Sequence, residues 1–461
     1  DLPPLAALAA VTRTPSEILG LGQKIGILSV GYDADIVAWD RFPLEIGAQT
    51  THVWVEGELV VETPRPVVPK SDVTQASLSE SGVCLNRKGE IQFLNCYAIV
   101  GGIVYTQDKT DLGRQMDILV QNGVITCLGS CDIPSECGVI TYSGGIIVPG
   151  FVQVGSNLGL VEVNAESSSH DGTLDEDDLS YIRAVEGVRI NNYKQRHLSA
   201  AFAGGVTTHI VQSQTPALIM GLSGAYRTSG NVITDVIIDD VLALDVSLGE
   251  SAKRGRRSKS ISSQISTLRT RFQTALAANV TDDPFLMAIK GEIPVILHSH
   301  NADEIAHFIR SIKTPFGFRM SVYGGTEAHL IAPLLSDHSI EVILTPPRGQ
   351  PTFTAWNTIE NAASVLESHG VTVGIAADLM DGVRNLRWLS GIQKARGFKN
   401  ALAAITNVPS KVYGLESRGV GIIRNGTFAS FSGFSADPLT YYGKIELVVS
   451  GDRVLCYPQQ Y

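Results

Sequence analysis

The chain has 461 residues, of which 44% are hydrophobic and 18% charged, a globular mixture that excludes a disordered polymer. Lys and Arg total 36 against 46 Asp and Glu, and the net charge of −10 argues against nucleic acid or an anionic membrane as a partner. No apolar run reaches the roughly 18 residues needed to span a bilayer.

Asp1-Leu-Pro-Pro runs without a Met or a signal-peptide pattern into the apolar stretch Leu5–Val11, so the start reads as that of a trimmed product. Residues 5–21 are expected to form one amphipathic helix and 24–62 strands. Thr63-Pro-Arg-Pro-Val-Val-Pro-Lys-Ser-Asp opens an extended linker over 64–82. Val-, Ile- and Tyr-rich runs bounded by Gly and Asn then signal strands through residue 148 and again over 419–456. These two ends, 83–148 and 419–461, should pair into one small β-sandwich. Between them, residues 149–418 alternate strand and helix: Gly205–Val211, Ile293–His298, Arg319–Tyr323, Glu341–Thr345 and Val371–Ala377 each read as strands. That alternation predicts an α/β fold with a (β/α)8 TIM-like barrel, whose chemistry sits at the C-terminal strand ends.

An internal repeat organises the rest. Ala7-Leu-Ala-Ala-Val-Thr-Arg-Thr-Pro15-Ser-Glu-Ile-Leu-Gly20-Leu21 recurs as Ala401-Leu-Ala-Ala-Ile-Thr-Asn-Val-Pro409-Ser-Lys-Val-Tyr-Gly414-Leu415. The match continues with Gly26 and Gly31 on Gly421 and Gly426, Pro43 on Pro438, and Val55-Glu-Gly57 on Val449-Ser-Gly451. Residues 1–63 are thus expected to be the tail of a first copy, and 83–461 a complete second copy. Such a tail alone would bare apolar surface and sheet edges. The expected partner is a companion polypeptide from the same precursor that carries the front of the first copy, within an oligomer.

Six cysteines, Cys84, Cys96, Cys127, Cys131, Cys137 and Cys456, avoid the central stretch 138–455. Their even number suggests disulfides; zinc is the rival reading, although no paired Cys-x-x-Cys set is present. Asn279-Val-Thr281 and Asn425-Gly-Thr427 are N-glycosylation sequons. Together these predict a secreted, disulfide-bonded glycoprotein; the alternative is an intracellular chain with buried thiols. Lys253–Lys259 reads as a basic loop or a processing site, and Asp171–Asp178 as an acidic loop.

The ordered segments Pro149-Gly150, Gly205-Val-Thr-Thr, Pro294-Val-Ile-Leu-His298, Gly324-Gly-Thr-Glu-Ala and Val373-Gly-Ile-Ala-Ala-Asp378 carry a resemblance. So does Gly31-Tyr-Asp33-Ala-Asp35 in the first copy. The chain resembles the amidohydrolase superfamily, particularly members similar to imidazolonepropionase and N-acetylglucosamine-6-phosphate deacetylase. The resemblance implies metal-assisted hydrolysis of C–N bonds, in which one or two cations activate water and a strand-eight Asp moves the proton. It places metal ligands in a His-x-His pair on strand one, in His residues of strands five and six, and in a modified Lys on strand four.

The residues depart from that pattern. Pro149-Gly-Phe-Val-Gln153-Val-Gly155-Ser-Asn157 sets Gly155 and Asn157 where the strand-one ligands belong. Glycine offers no ligand and Asn only a neutral oxygen. His298 matches the strand-five ligand, with His300 two residues on; His329 matches strand six loosely. Asp378 fits the catalytic acid, with Asp381 as a substitute, and Lys290 is the available strand-four lysine. His209 reads as packing. The expectation is a weakly active or inactive copy with a structural or binding role and no bound metal. One alternative is a mononuclear hydrolase holding one Zn with His298 and His329 and using Asp378 as its acid. A carbohydrate-binding surface module is the other.

Overall fold

The computed structural model describes residues 2–63, 89–92, 95–106, 113–171, 181–190, 195–254, 260–346 and 355–456. The linker 64–82, Cys84, and most of both charged segments lie outside the described residues. By internal contacts the chain divides into two units, residues 1–75 with 440–442, and residues 76–439 with 443–461.

In the first unit, two short helices, Pro4–Ala10 and Arg13–Ile18, replace the single helix expected over 5–21. Pro15 explains the break. It has no N–H to offer the carbonyl four residues back, and its ring crowds that carbonyl. The chain turns at Thr12, with φ −128° and ψ −88°, and the Thr12 hydroxyl donates to the Leu8 carbonyl at 2.8 Å. Strands β1 (Ile36–Trp39), β2 (Thr50–Val55) and β3 (Glu58–Glu62) follow as an antiparallel sheet in sequence order. Glu56 and Gly57, both at positive φ, make the two-residue turn between β2 and β3. The buried residues described between positions 2 and 63 are Ser16, Asp40 and Thr51, all polar.

The second unit opens with β4 (Gly89–Gln92), β5 (Cys96–Val104), β6 (Arg114–Gln121), β7 (Val124–Gly129), β8 (Gly138–Thr141) and β9 (Ile146–Pro149). It closes with β18 (Ser430–Phe434), β19 (Ile445–Ser450) and β20 (Arg453–Cys456). The two ends pair as expected, within one continuous nine-stranded sheet in which β18 lies antiparallel to β9 and β20 to β4. Tyr97, Ile99, Ile118, Phe431, Leu447 and Val449 share its core. Disulfides join Cys96 to Cys137 and Cys127 to Cys131, and Cys456 is also disulfide-bonded.

The barrel sheet runs β10 (Phe151–Val154), β11 (Val206–Val211), β12 (Ile219–Arg227), β13 (Ile237–Ser247), β14 (Val295–Ser299), β15 (Met320–Gly324), β16 (Glu341–Leu344) and β17 (Val373–Ile375), each hydrogen-bonded to the next. It departs from an all-parallel barrel at one strand. β12 runs antiparallel to both β11 and β13. Residues 212–218 and 228–236 are too few for a parallel crossover, which takes about a dozen residues or more. At the seam between β10 and β17, the Gln153 side chain acts as a substitute peptide. Its Oε1 accepts from the Ala377 N–H at 3.0 Å, and its Nε2 donates to the Ala377 carbonyl at 2.6 Å.

Residues 401–456 reproduce the local geometry of the first unit. Thr406 has φ −126° and ψ −93°, and its hydroxyl donates to the Leu402 carbonyl at 2.8 Å, as Thr12 does to Leu8. Gly414 repeats the positive φ of Gly20, at 72° against 73°. The ladders correct one detail of the sequence match. Trp39 faces Thr50 as Phe434 faces Ile445, and Val55 faces Glu58 as Ser450 faces Arg453. Val55 therefore corresponds to Ser450, one residue later than the Val449 that letter matching selects.

Candidate functional site

The C-terminal ends of β10, β13, β14 and β15 converge on a buried polar network. Gly155 follows β10 at φ +72°, a left-handed conformation natural to glycine. A Cβ built there would collide with the Gln212 Oε1 and would stand 2.6 Å from the Tyr323 hydroxyl. The space of a strand-one ligand is therefore filled by side chains from β15 and from the turn after β11. Tyr323 donates to the Gly155 carbonyl at 3.2 Å, and Gln214 Nε2 to the same oxygen at 2.8 Å. Asn157 is also engaged, its Oδ1 accepting from the Met380 N–H at 3.0 Å.

His298 lies near the end of β14 and is nearly buried. Its Nε2 is 3.0 Å from Asp245 Oδ1 on β13, and its ring packs on Tyr323 with centroids 4.8 Å apart. Gln212 Nε2 donates to the same Asp245 oxygen at 2.9 Å and approaches the Tyr413 hydroxyl at 2.6 Å. Asp245 is 1% exposed, and burial holds its carboxyl above the usual carboxylate range against the hydrogen bonds that oppose the shift. Among the described residues, Asp245 Oδ2 and Gln212 Oε1 are buried acceptors without a hydrogen-bond donor. The carboxylate orients the imidazole, so the pair can share or pass one proton. Together the two open acceptors can accept from one small hydrogen-bond donor.

Ser156 stands between the two vacated positions. Its hydroxyl lies 3.1 Å from His209 Nε2, and His209 Nδ1 lies 3.0 Å from Tyr226 Oη, which donates to the Leu158 carbonyl at 2.8 Å. All three side chains are fully buried. Burial pushes His209 down to about 3, so it is neutral and acts as a structural pin, as its sequence context suggested.

The other sequence candidates do not converge. His329 sits half-buried in the turn Ala328–Ile331, its basicity lowered mainly by burial. His300 is exposed and bonds Thr326 Oγ1 at 2.8 Å. Asp378 is half-buried beyond β17, and Asp381 is exposed. Lys290 ends the helix Pro284–Lys290 on the surface, outside the strand-four interior where Asp245 stands. Among the described residues no group of three or more His, Cys, Asp or Glu is placed to hold a metal ion. Asn279 and Asn425 are both exposed.

Residues 1–61 match the model of the amidohydrolase family. The amidohydrolase tasK of Hapsidospora irregularis is 28% identical over 415 residues, covering 75% of this chain and 40% of its own length. The chain is thus similar in sequence to amidohydrolases. An amidohydrolase from Thermotoga maritima MSB8 shares the fold with a TM-score of 0.70 at 22% identity, over 79% of this chain and all of that one. A prolidase solved with N-methylphosphonate-L-proline superposes with a TM-score of 0.51 at 14% identity, over 78% of this chain and 99% of its own. This amidohydrolase-fold chain spans about two fifths of the length of the curated relative it matches.

Proposed function

We propose that the barrel of residues 149–418 is a metal-free amidohydrolase copy with a structural or binding role, in a secreted, processed glycoprotein. The observation that carries this reading is the filled space over Gly155, where Gln212 and Tyr323 occupy the volume of a strand-one ligand. The donors that remain do not suit the family's metal. Asp245 already holds His298, and Asn157 is tied to the Met380 backbone. Zinc in a catalytic site takes three protein ligands plus water, and His298 with Asp245 supplies two.

Elemental analysis and melting of natively purified protein test the reading. Zinc well below one equivalent and a melting point unchanged by chelator are expected, since an ion bound only to the native state would raise stability. Near-stoichiometric zinc with a chelator-sensitive melt would overturn it in favour of a mononuclear hydrolase. Secretion is supported by the disulfides and by the exposed sequon residues Asn279 and Asn425. Intact mass should fall on enzymatic deglycosylation; a mass equal to the bare polypeptide would refute that part.

A further inference from the structure

We propose that the apolar face of residues 2–62 is the docking surface for a second amidohydrolase barrel, supplied by polypeptide outside residues 1–461. The proposal does not depend on whether the barrel of residues 149–418 binds metal.

Matched positions of the two segments differ in burial. Val11, Ile18, Leu19 and Leu21 are 73%, 79%, 72% and 42% exposed. Their counterparts Ile405, Val412, Tyr413 and Leu415 are 0%, 4%, 2% and 1% exposed. From the threonine onward the local backbone is alike in both: the dihedrals of Thr12 and Thr406 match, and helix Arg13–Ile18 corresponds to helix Asn407–Val412. Local folding therefore does not account for the difference. The cover does. Val412, Tyr413 and Leu415 pack in one cluster with Val152 and Val154 of β10 and with Ala376 just beyond β17. Strands one and eight of a barrel are what this face is shaped to meet.

The sheets show the same contrast. β18 carries β19 on one edge and β9 on the other, with Phe431 opposite Pro149 and Phe434 opposite Ile146. β1 carries β2 on one edge, and no strand is described on the other. An unpaired edge beside exposed apolar residues is a template for another strand. The missing strand should resemble the Ile-Ile-Val-Pro segment of β9, antiparallel to β1, with its proline opposite Ile36.

A second copy of this chain is the poorer occupant. Its own surface of β10, β17 and β9 already carries its own residues 401–456, so docking would have to displace a fully buried segment. A barrel without such a tail has the complementary surface free.

The test uses protein purified natively from cells that secrete it, with a photo-crosslinking residue in place of Leu19. After irradiation, the joined peptides are sequenced by mass spectrometry. Cross-links into a polypeptide bearing an amidohydrolase strand-one segment support the proposal. Cross-links to another copy of residues 1–461, to a polypeptide without such a barrel, or none at all, overturn it. A second variant guards against a trivial loss of folding. Combining Ile18→Asp with Leu19→Asp should lower the complexed fraction seen by native mass spectrometry at least about tenfold, because central apolar anchors dominate such interfaces. The melting of the barrel unit should not move. An unchanged complexed fraction would place the contact elsewhere and refute the proposed face.

Discussion

Residues 4–62 and 401–456 share much of their local geometry and differ sharply in burial. In both, a helix breaks at a threonine whose hydroxyl bonds back to a leucine carbonyl, and three antiparallel strands follow. In the second, Phe434 is fully buried against Phe151, with ring centroids 5.8 Å apart; its counterpart Trp39 lies at the surface. Backbone geometry thus follows from local sequence, through Pro15 and Pro409, the positive-φ glycines and the short turns. Stability follows from what covers the apolar face. At roughly 25 cal/mol per Å2, buried apolar area is the main term opposing chain entropy. In the first unit, the described buried residues are all polar, so residues 2–63 have little of that term on their own.

The largest expected effect contrasts Tyr413→Ala with Leu19→Ala. Tyr413 is buried among barrel residues and meets Gln212, so truncation should cost about 3–5 kcal/mol, as large-to-small aromatic changes do. Leu19→Ala in the isolated chain should stay within about 0.5 kcal/mol, as for an exposed position. Urea midpoints of the two variants decide the matter. Equal losses would mean that the first unit is already covered.

Acid separates the two units further. His209 takes up a proton near 6.5 in the unfolded chain and only at about 3 in the fold. Protons therefore bind the unfolded state preferentially below pH 6.5. This contribution is complete above that pH and fades by about 1.4 kcal/mol per pH unit beneath it. Denaturation at pH 7, 6 and 5 should show this slope in the barrel unit, and His209→Gln should flatten it. Hydrogen exchange should report protection in β1–β3 that does not follow the same slope. A shared slope would show that the units unfold together.

Much of the fold was legible because it rests on local signals. Strand and helix alternation marked the barrel, and the repeat marked the likeness of residues 4–62 to 401–456. His298 stands out in the sequence because it falls in the register that the resemblance singles out. Its partner Asp245 is not legible in the same way. Asp245 sits in Leu242-Ala-Leu-Asp-Val-Ser, where a charged residue in an apolar strand calls for a buried partner. Which residue answers it depends on the β13–β14 register, in which Ser247 lies beside His298, and spacing along the chain does not encode that. Gln212, Tyr323 and Tyr413 come from three distant segments for the same reason. The reversal of β12 had a readable sign in the short connections 212–218 and 228–236, since neither leaves room for a crossover helix. The break at Thr12 was also readable, from Pro15.

Glycine substitutions test whether shared geometry carries equal weight in the two units. Gly26 and Gly421 have φ of +87° and +69°, and a Cβ at Gly26 would come within 2.9 Å of the Thr12 carbonyl. At Gly421 it would collide with the Thr406 carbonyl. Gly421→Ala should cost at least about 1–2 kcal/mol, the usual penalty of a side chain in the left-handed region. Gly26→Ala should leave the global midpoint unmoved and reduce amide protection only around residues 13–26. A global loss from Gly26→Ala would mean that the first unit contributes to overall stability.

The smallest contrast is the threonine at the helix break. Thr406→Val keeps the side-chain shape and deletes the hydroxyl that donates to Leu402. Thr406 is fully buried, but the Leu402 carbonyl also accepts from the Ile405 N–H at 3.2 Å, so it is not left empty. The expected loss is thus the net value of one hydrogen bond, about 1 kcal/mol. Thr12→Val deletes the equivalent bond to Leu8 where both groups face water. Water replaces the lost partner, and no measurable change in midpoint is expected in the isolated chain. If a barrel docks on this face, the same Thr12→Val change becomes costly only in the complex. Its effect on melting should then approach that of Thr406→Val when the partner is present and vanish when it is absent. A Thr12→Val effect equal in both states would show that the partner does not cover the helix break.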